Sequence, residues 1–368
     1  MTGQDVSVEA VRAAIRAAGA GWEAGVTSVS ELSPQERRVR LGVRPRPEEG
    51  SLDDIVRRGA ERLAGERPEA REVGAPAAHD WRNVGGKNFI TPVRDQGNCG
   101  SCVAFGTAAT IEGTARVQGN NPALAIDLSE AQLFYCYGRT QGVTCDTGWM
   151  PEHALEFART KGVTDEAHYP YVARDSGCNV KEGWEGALTK ISGSRDLTGK
   201  AAEMKEWLAT KGPLSACLVV YADFYSYRGG VYRHVTGGQE GGHCVCIVGY
   251  DDAAGAWICK NSWNTGFGEG GFFRIAYGEC AIDTWRVHAV EGVEDTGWRN
   301  GVRVLGLWVS DAERNAWAYL DGIGWRRLAF DNDNVLLSLL TDLAAAKLGK
   351  LPANVYVEQG VVRQVYVF

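Results

Sequence analysis

Two cysteines, Cys99 and Cys102, lie where a loop gives way to an apolar stretch, and they are the first candidates for chemistry in this sequence. Pro92 to Gly97 carry residues typical of a loop, and the run that begins at Cys102 is apolar enough to predict a buried helix. Cys102 would then lie in the first helical turn, where free N–H groups and the positive end of the helix dipole favour a thiolate. A thiolate is the form of cysteine that attacks carbon.

A Cys-x-x-Cys pair alone fits a redox pair or half of a zinc site equally well. Gln96 argues for a nucleophile, because its side-chain N–H and the backbone N–H of Cys102 would together form an oxyanion hole. The string from Gln96 to Cys102 resembles the papain family of cysteine peptidases, in which the second cysteine is the nucleophile and the first lies in a disulfide. Val103 stands where the family usually has an aromatic residue.

His243 is the candidate base among the histidines, and it follows two glycines at the start of a strand-like segment. A single histidine at a strand end is more often an ordinary surface residue. Here it precedes Asn261-Ser-Trp263 in the order that the family shows. The resemblance implies that His243 takes the proton of Cys102, that Asn261 holds the imidazole, and that Trp263 shields that bond, so peptides would be cleaved through an acyl-enzyme thioester.

Length and composition limit the class of protein. A chain of 368 residues, 44% hydrophobic and 23% charged, predicts two or three globular domains. A net charge of −7 argues against nucleic acid and membrane surfaces as partners. The sequence has no apolar run of the roughly eighteen residues that would span a bilayer. Met1 to Val8 lack a signal-peptide pattern. The oligomeric state is not predicted.

Residues 1–76 differ from the rest, since they are rich in Arg, Glu, Ala and Pro and contain no cysteine. Helical spacing occurs in residues 8–17 and 52–63. Composition alone favours a solvated extension. However, Trp22 to Gly25 followed by Arg40-Leu-Gly42 resembles the inhibitory propeptide of the cathepsin B group, with Trp22 and Gly25 as its anchor. The resemblance implies an intramolecular inhibitor that ends near Pro76.

The central part, residues 77–293, reads as helical first and β-rich second. Short apolar strands are predicted at 213–220, 244–250, 257–260 and 271–275. This order indicates an α+β fold with a cleft between its halves. The resemblance implies the papain-like two-lobed fold, with a helical lobe and a barrel-like β lobe.

The ten cysteines need partners. The resemblance implies disulfides Cys99–Cys145 and Cys136–Cys178, which leave Cys102 free and favour an extracellular or other oxidising compartment, although the chain shows no signal peptide. A zinc site at Cys244 and Cys246 beside His243 is an alternative, but both fall in an apolar run, so inert buried thiols are favoured. No metal and no cofactor are predicted. The cysteines left without an assigned partner are Cys217, Cys244, Cys246, Cys259 and Cys280.

The resemblance also implies a set of substrate-binding residues. In the cathepsin B group a Glu closes the pocket for the second residue upstream of the cut, and Trp285 stands there in this sequence. An indole gives no counter-charge to Arg, so a preference for small to medium apolar residues is predicted. The set is Gly148, Trp149, Met150, Cys217, Gly242, Cys244, Trp263 and Trp285.

Cathepsin B removes dipeptides because of an occluding loop, and the segment between Cys145 and Cys178 is too short to hold one. An endopeptidase is therefore predicted. The alternatives are a papain-like transpeptidase or peptide ligase, and a catalytically weak protein that binds peptides.

Residues 294–368 lie outside the resemblance and contain no Cys and no His. Strands are predicted at 302–309, 316–320, 325–330, 354–358 and 361–368, with turns at Asp321-Gly322 and Gln359-Gly360 and a helix capped by Asp331 or Asn332. This pattern predicts a small separate α+β module, whose role as an adaptor or a structural appendage stays open.

Overall fold

We analysed a computed structural model, which describes residues 6–65, 74–295, 297–358 and 360–368. The N-terminal segment begins with a helix whose N-cap is Ser7 and whose C-cap is Gly19 in the left-handed conformation. Ser33 and Glu36 form a reciprocal capping box at the second helix. The elements of this segment are α1 (Val8–Ala18), β1 (Trp22–Ala24), α2 (Pro34–Val39) and α3 (Leu52–Gly65).

The helical half is built around α4 (Cys102–Gln118), which is buried along most of its length. The buried helix predicted from the sequence is therefore present. It packs against α5 (Pro151–Thr160) and a helical turn at Gln132–Tyr137. The Ser129 hydroxyl accepts a hydrogen bond from the Gln132 N–H at 3.0 Å, at the start of that turn. These elements share one buried core with α4.

The β half is one sheet, which contains nine strands among the described residues in the order β1-β5-β8-β7-β6-β4-β9-β3, with β2 paired to β6. Only β5 and β8 pair in parallel in this sheet as described. Besides β1, the strands are β2 (Ala78–Asp80), β3 (Thr189–Asp196), β4 (Leu214–Tyr221), β5 (Tyr227–Tyr232), β6 (Gln239–Asp251), β7 (Ala256–Lys260), β8 (Phe272–Ala276) and β9 (Val287–Asp295). The helix α6 (Ala201–Thr210) lies between β3 and β4 in the sequence.

Strand β4 shows why the two halves join tightly. Its residues alternate between two apolar cores: Leu218 and Val220 lie in the core of the β half, while Cys217 and Val219 lie in the core shared with α4. A strand buried on both faces reads as a continuous apolar run, which is the pattern of this segment. The cleft lies where the start of α4 meets the start of β6.

The C-terminal part forms a second sheet, with six strands among the described residues in the order β10-β14-β15-β13-β12-β11. One face is covered by α7, through Leu339, Leu343 and Ala346. The Asn332 side chain caps that helix, accepting from the N–H groups of Asn334 and Val335. The elements are β10 (Gly297–Val302), β11 (Val304–Val309), β12 (Ala316–Leu320), β13 (Gly324–Leu328), α7 (Asp333–Gly349), β14 (Ala353–Glu358) and β15 (Val361–Val367).

The observed elements differ from the predicted ones in a few places. Strand β10 was not predicted, because residues 297–302 alternate weakly, and it is held by pairing with β14. Strand β9 runs past the expected boundary at residue 293 as far as Asp295. Gln359 of the predicted turn lies outside the described residues. No helix in the described ranges is both long and apolar enough to cross a bilayer.

Candidate active site

Cys102 is the first residue of α4 and is fully buried, with a free thiol. The N–H groups of Gly42, Val103 and Cys244 point at its sulfur and favour a thiolate. Burial nevertheless raises the pKa of the Cys102 thiol to about 12. The lowered pKa expected from the helix terminus is therefore not what this state shows, because residues of the N-terminal segment exclude water from the thiol.

His243 lies on β6, and its Nε2 is 2.8 Å from the Asn261 side-chain oxygen. That oxygen can only accept, so Nε2 carries the proton and Nδ1 presents a lone pair. The Trp263 indole stacks on the imidazole with ring centroids 4.6 Å apart. Burial lowers the pKa of His243 to about 4, despite the opposing hydrogen bond to Asn261. The pair Cys102 and His243 is thus neutral in this state.

Gln96 is buried and is fixed on both ends of its side-chain amide. Its Nε2 donates to the carbonyl oxygens of Arg40, at 2.9 Å, and Cys99, at 2.8 Å. Its Oε1 accepts from the Ser262 hydroxyl at 2.7 Å. The side-chain donor that the sequence assigns to an oxyanion hole therefore binds a carbonyl of the N-terminal segment.

The N-terminal segment passes through the cleft at Gly42, where no side chain would fit. A Cβ on Gly42 would lie 1.8 Å from the Gly100 oxygen, and a Cβ on Gly148 would lie 2.2 Å from the Gly42 oxygen. Gly148 also has φ +66°, in the left-handed region. The Trp149 N–H donates to the Gly42 oxygen at 2.8 Å. Backbone thus lies directly on backbone at this wall.

The opposite wall is Gly242, whose carbonyl accepts from the Val43 N–H at 3.0 Å. A Cβ on Gly242 would meet the Val43 oxygen at 2.4 Å and the Trp285 ring at 2.6 Å. Val43 is therefore flanked by both walls of the cleft. It shares one buried apolar cluster with Trp149, Cys217, Cys244 and Trp285.

Met150 is half-buried and precedes α5. Trp285 is buried and, in addition to closing on Gly242, donates from Nε1 to Glu49 of the N-terminal segment at 3.1 Å. Of the residues predicted to line the substrate pocket, Trp149 and Gly242 bond to the segment Gly42 to Val43, and Trp285 lies against Gly242.

The predicted anchor at Trp22 and Gly25 packs on the β half. Trp22 is buried, with its ring 5.1 Å from Tyr232 and 6.1 Å from Tyr227, and it pairs with Gly230 through β1 and β5. The Gly25 N–H donates to the Ser226 oxygen at 2.8 Å. Burial of this indole resolves the oddity of a tryptophan in so polar a segment.

Ion pairs tie the same segment to the peptidase half. Arg38 reaches Glu240 at 2.9 Å, and the buried Arg40 reaches Asp95 at 3.1 Å. Further along the chain, Arg46 lies 3.0 Å from Glu152. Sequence reasoning missed these contacts, because charges on a polar segment have no period that points to a partner.

The structure contains disulfides Cys99–Cys145 and Cys136–Cys178. The free cysteines are all buried, including Cys246, whose pKa burial raises to about 12. Apart from Cys102, whose place at the start of α4 in the cleft sets it apart, these buried thiols are expected to be unreactive. In the part of the chain that the structure describes, no group of three or more metal-ligating side chains occurs, so Cys244 and Cys246 do not belong to one.

Two further residues of the site were missed: Arg286 and Glu49. Arg286 is buried, has φ +49°, and forms an ion pair with Glu49. Arg286 follows Trp285 directly, so the closing position predicted from the family did point to this place. Its partner could not be found from spacing.

The sequence and the fold are similar to those of known peptidases. The family model described as "Papain family cysteine protease" matches residues 75–290. A cathepsin L-like proteinase of Fasciola hepatica is 35% identical over 212 residues, which are 56% of this chain and 62% of that protein. Cathepsin B-like CP3 of Giardia intestinalis is 34% identical over 291 residues, which are 72% of this chain and 95% of that protein.

Among solved structures, procathepsin L 3 of the Tenebrio molitor larval midgut has a TM-score of 0.59 at 25% identity, covering 77% of this chain and 87% of its own. The proCathepsin B S9 of Trypanosoma congolense has the same fold, with a TM-score of 0.61 at 23% identity, covering 77% and 97%. Both of these structures are proforms. The family match covers more than half of the sequence and contains Cys102, His243 and Asn261. The chain belongs to the papain family of cysteine proteases.

Proposed function

We propose that this protein is a cysteine endopeptidase made as a latent zymogen, in which residues 1–76 block the cleft of residues 77–293. One observation carries the proposal: the segment Arg40 to Val43 occupies the places that a substrate needs. It holds the Gln96 side-chain donor and bonds to both cleft walls, at Trp149 and Gly242.

The chemistry follows from the hydrogen bonds of His243. With Nε2–H bonded to Asn261, Nδ1 is the atom available to take the Cys102 proton. Release of the N-terminal segment removes the burial that raises the thiol pKa and lowers the imidazole pKa. The N–H groups of Val103 and Cys244, which remain at the sulfur, and the dipole of α4 then favour the thiolate.

Peptide hydrolysis proceeds in two steps on these residues. The thiolate attacks the amide carbon, and the oxyanion that forms accepts hydrogen bonds from Gln96 and the Cys102 backbone. The imidazolium of His243 protonates the leaving amine. Water, deprotonated by the same imidazole, then releases the acyl group from the thioester.

The substrate class follows from the pocket beside Val43. Trp149, Cys217, Cys244 and Trp285 lie in the same buried apolar cluster as Val43, so we propose a small to medium apolar residue at the second position upstream of the cut. Among family members, we propose a place close to the cathepsin B group but without its occluding loop, because α5 and short turns account for much of the segment between Cys145 and Cys178. An open cleft favours cleavage within a chain.

The test is hydrolysis of a short fluorogenic peptide with Val at that position, before and after cleavage of the chain between Gly65 and Gly74. We expect activity to rise after cleavage and to vanish in Cys102→Ala. Cys246→Ala, which alters another buried thiol, is the matched control and should remain active. Equal activity of the intact and cleaved chains would refute latency, and an active Cys102→Ala variant would refute the mechanism. Product analysis with an added amine distinguishes hydrolysis from transpeptidation.

A further inference from the structure

The carboxylate of Glu49 lies in a receptor formed by two adjacent residues of the peptidase half. The Trp285 Nε1–H and the Arg286 Nε–H both donate to Glu49 Oε1, each at 3.1 Å. Arg286 Nη2 donates to Oε2. Each carboxylate oxygen therefore accepts at least one hydrogen bond. Two of the three donors are N–H groups of the Arg286 guanidinium, and this two-point geometry is the strongest for recognising a carboxylate.

The peptidase half of this receptor is fixed by its own neighbours. Arg286 leaves only 4% of its side chain exposed, and its Nε lies 3.8 Å from Glu152 Oε1. It directly precedes β9, and φ of +49° turns its side chain away from the regular strand course. Such a backbone conformation costs free energy in a non-glycine residue and persists where the surroundings require it.

A cavity of about 440 Å³ adjoins the receptor. The N-terminal segment supplies part of its lining, including Arg46, Glu49 and Ile55, while Thr198, Thr284 and His288 belong to the peptidase half. Arg286 Nη1 has no hydrogen-bond partner among the described residues. When the N-terminal segment leaves, the cavity opens and three N–H donors of Trp285 and Arg286 lose their acceptor.

The two other acidic residues of the lining, Glu152 and Asp196, do not occupy this receptor. Glu152 lies against His288 and Arg286; burial opposes its ionisation, but the hydrogen bond to His288 and the nearby Arg286 charge lower its pKa to about 2. Asp196 accepts from the Thr198 N–H at 2.8 Å. Glu152 lies 3.8 Å from Arg286 Nε, beyond hydrogen-bond distance, and Asp196 accepts elsewhere, so neither takes the hydrogen bonds that Glu49 accepts from the three donors.

The receptor is continuous with the substrate cleft through one indole. The six-membered ring of Trp285 faces Gly242, beside Val43, and its Nε1 faces Glu49. Gly42 lies at the Cys102 sulfur, Val43 in the apolar pocket and Glu49 at the receptor. A substrate whose second upstream residue fills the apolar pocket would therefore run opposite to the N-terminal segment and would reach the receptor with a residue further upstream.

We propose that Trp285 and Arg286 form a subsite for a carboxylate side chain of the substrate, upstream of the apolar residue that takes the place of Val43. This inference rests on the proposed peptidase function. Glu49 fills the subsite in the latent chain, and an acidic substrate residue fills it after the N-terminal segment has left. A lysine or arginine at the same substrate position meets the guanidinium of Arg286 and is disfavoured.

The test uses the full chain cleaved between Gly65 and Gly74, with peptides that keep Val in the apolar pocket and carry Glu, Gln or Lys at each of the three positions upstream. At one position we expect kcat/KM for Glu to exceed that for Gln by about tenfold, with Lys the poorest. Trp285→Phe, which removes the N–H together with part of the ring, should reduce this ratio, and Arg286→Gln, which leaves the indole in place, should abolish it. Trp207→Phe, a change of the same kind on α6, is the control.

Binding gives a second readout that needs no turnover. The same labelled peptides, measured by fluorescence polarisation on the cleaved Cys102→Ala chain, should show a Kd about tenfold lower for Glu than for Gln. Equal Kd and equal kcat/KM for Glu and Gln at all three positions would overturn the subsite, as would a preference that survives Arg286→Gln. Peptides that bind with the Glu preference but are never hydrolysed by the cleaved chain with Cys102 would instead refute the proposed function alone.

Discussion

The sheet of the peptidase half and the sheet of the C-terminal module differ in how many of their faces are buried. Strand β4 is buried on both faces, with apolar cores on each side. The module covers one face of its sheet with α7 and leaves aromatic side chains on the other. Tyr319 and Trp325 face each other across β12 and β13, with 38% and 47% of their surface exposed.

The contrast extends to the whole chain. Among the described residues, the exposed large apolar side chains all belong to the module except Val26 and Val172. In the peptidase half, by contrast, the buried groups include Gln96, His243 and Asn261, which carry specific hydrogen bonds. Enclosure on both sides is what gives these polar groups fixed partners and shifted pKa values. The module has no such enclosure, so we expect the chemistry to depend on the peptidase half alone.

The largest effect is expected in the peptidase half, from Gln96→Ala in the cleaved chain. Loss of an oxyanion donor of ordinary strength should reduce kcat by roughly 10²–10³, about 2.7–4 kcal/mol, with a smaller change in KM. Gln132→Ala is the matched control, because Gln132 is also buried and accepts from the Thr164 N–H. It should lower stability without lowering kcat. An unchanged kcat in Gln96→Ala would remove Gln96 from the hole.

The enclosure of His243 predicts how stability depends on pH. Its pKa is about 4 in the folded intact chain against 6.5 for the free side chain. Between pH 6.5 and 4 the unfolded chain therefore binds a proton that the folded chain does not, so the free energy of unfolding should fall by about 3 kcal/mol as pH decreases.

Urea unfolding of the intact chain and of His243→Gln, measured across this pH range, isolates that contribution as the difference between the two curves. The wild-type curve should descend more steeply toward pH 4. Parallel curves would mean that His243 is not enclosed in the latent chain.

The smallest effect is expected from removing the C-terminal module, whose sheet leaves one face exposed. Ending the chain at Asp295 removes the module, whose buried core shares no residue with the cores around Cys102 and His243. Because the sites are distant, kcat/KM on short peptides should stay within about twofold after activation. A tenfold loss on those peptides would show that the module helps to position the site, and the contrast between the two sheets would then lose its functional meaning.

Much of this architecture was predictable because it follows local patterns. The apolar run at β4, the strands β12, β14 and β15, and the helix that follows Asn332 were all expected from periodicity and capping. The fold of the peptidase half followed from the motifs around Cys102 and His243. Here the local sequence and the tertiary structure agree.

What escaped prediction depends on contacts between distant parts of the chain. Glu49 and Arg286 form an ion pair although they are far apart in sequence, and the residues around each of them contain no pattern that predicts it. The neutral state of Cys102 escaped for the same reason, since burial of the thiol in the folded chain outweighs the effect of the helix terminus. The course of the N-terminal segment through the cleft is set by backbone contacts at Gly100 and Gly148, which no side-chain pattern encodes.

The most direct measurement is labelling by an epoxide or vinyl-sulfone probe for cysteine peptidases, followed by mass-spectrometric mapping of the modified residue. Six cysteines of the described chain are free and all are buried, so selectivity is informative. We predict that Cys102 alone is labelled, and only after cleavage between Gly65 and Gly74. Labelling of another cysteine, or of the intact and cleaved chains at the same rate, would contradict a latent enzyme with Cys102 as its nucleophile.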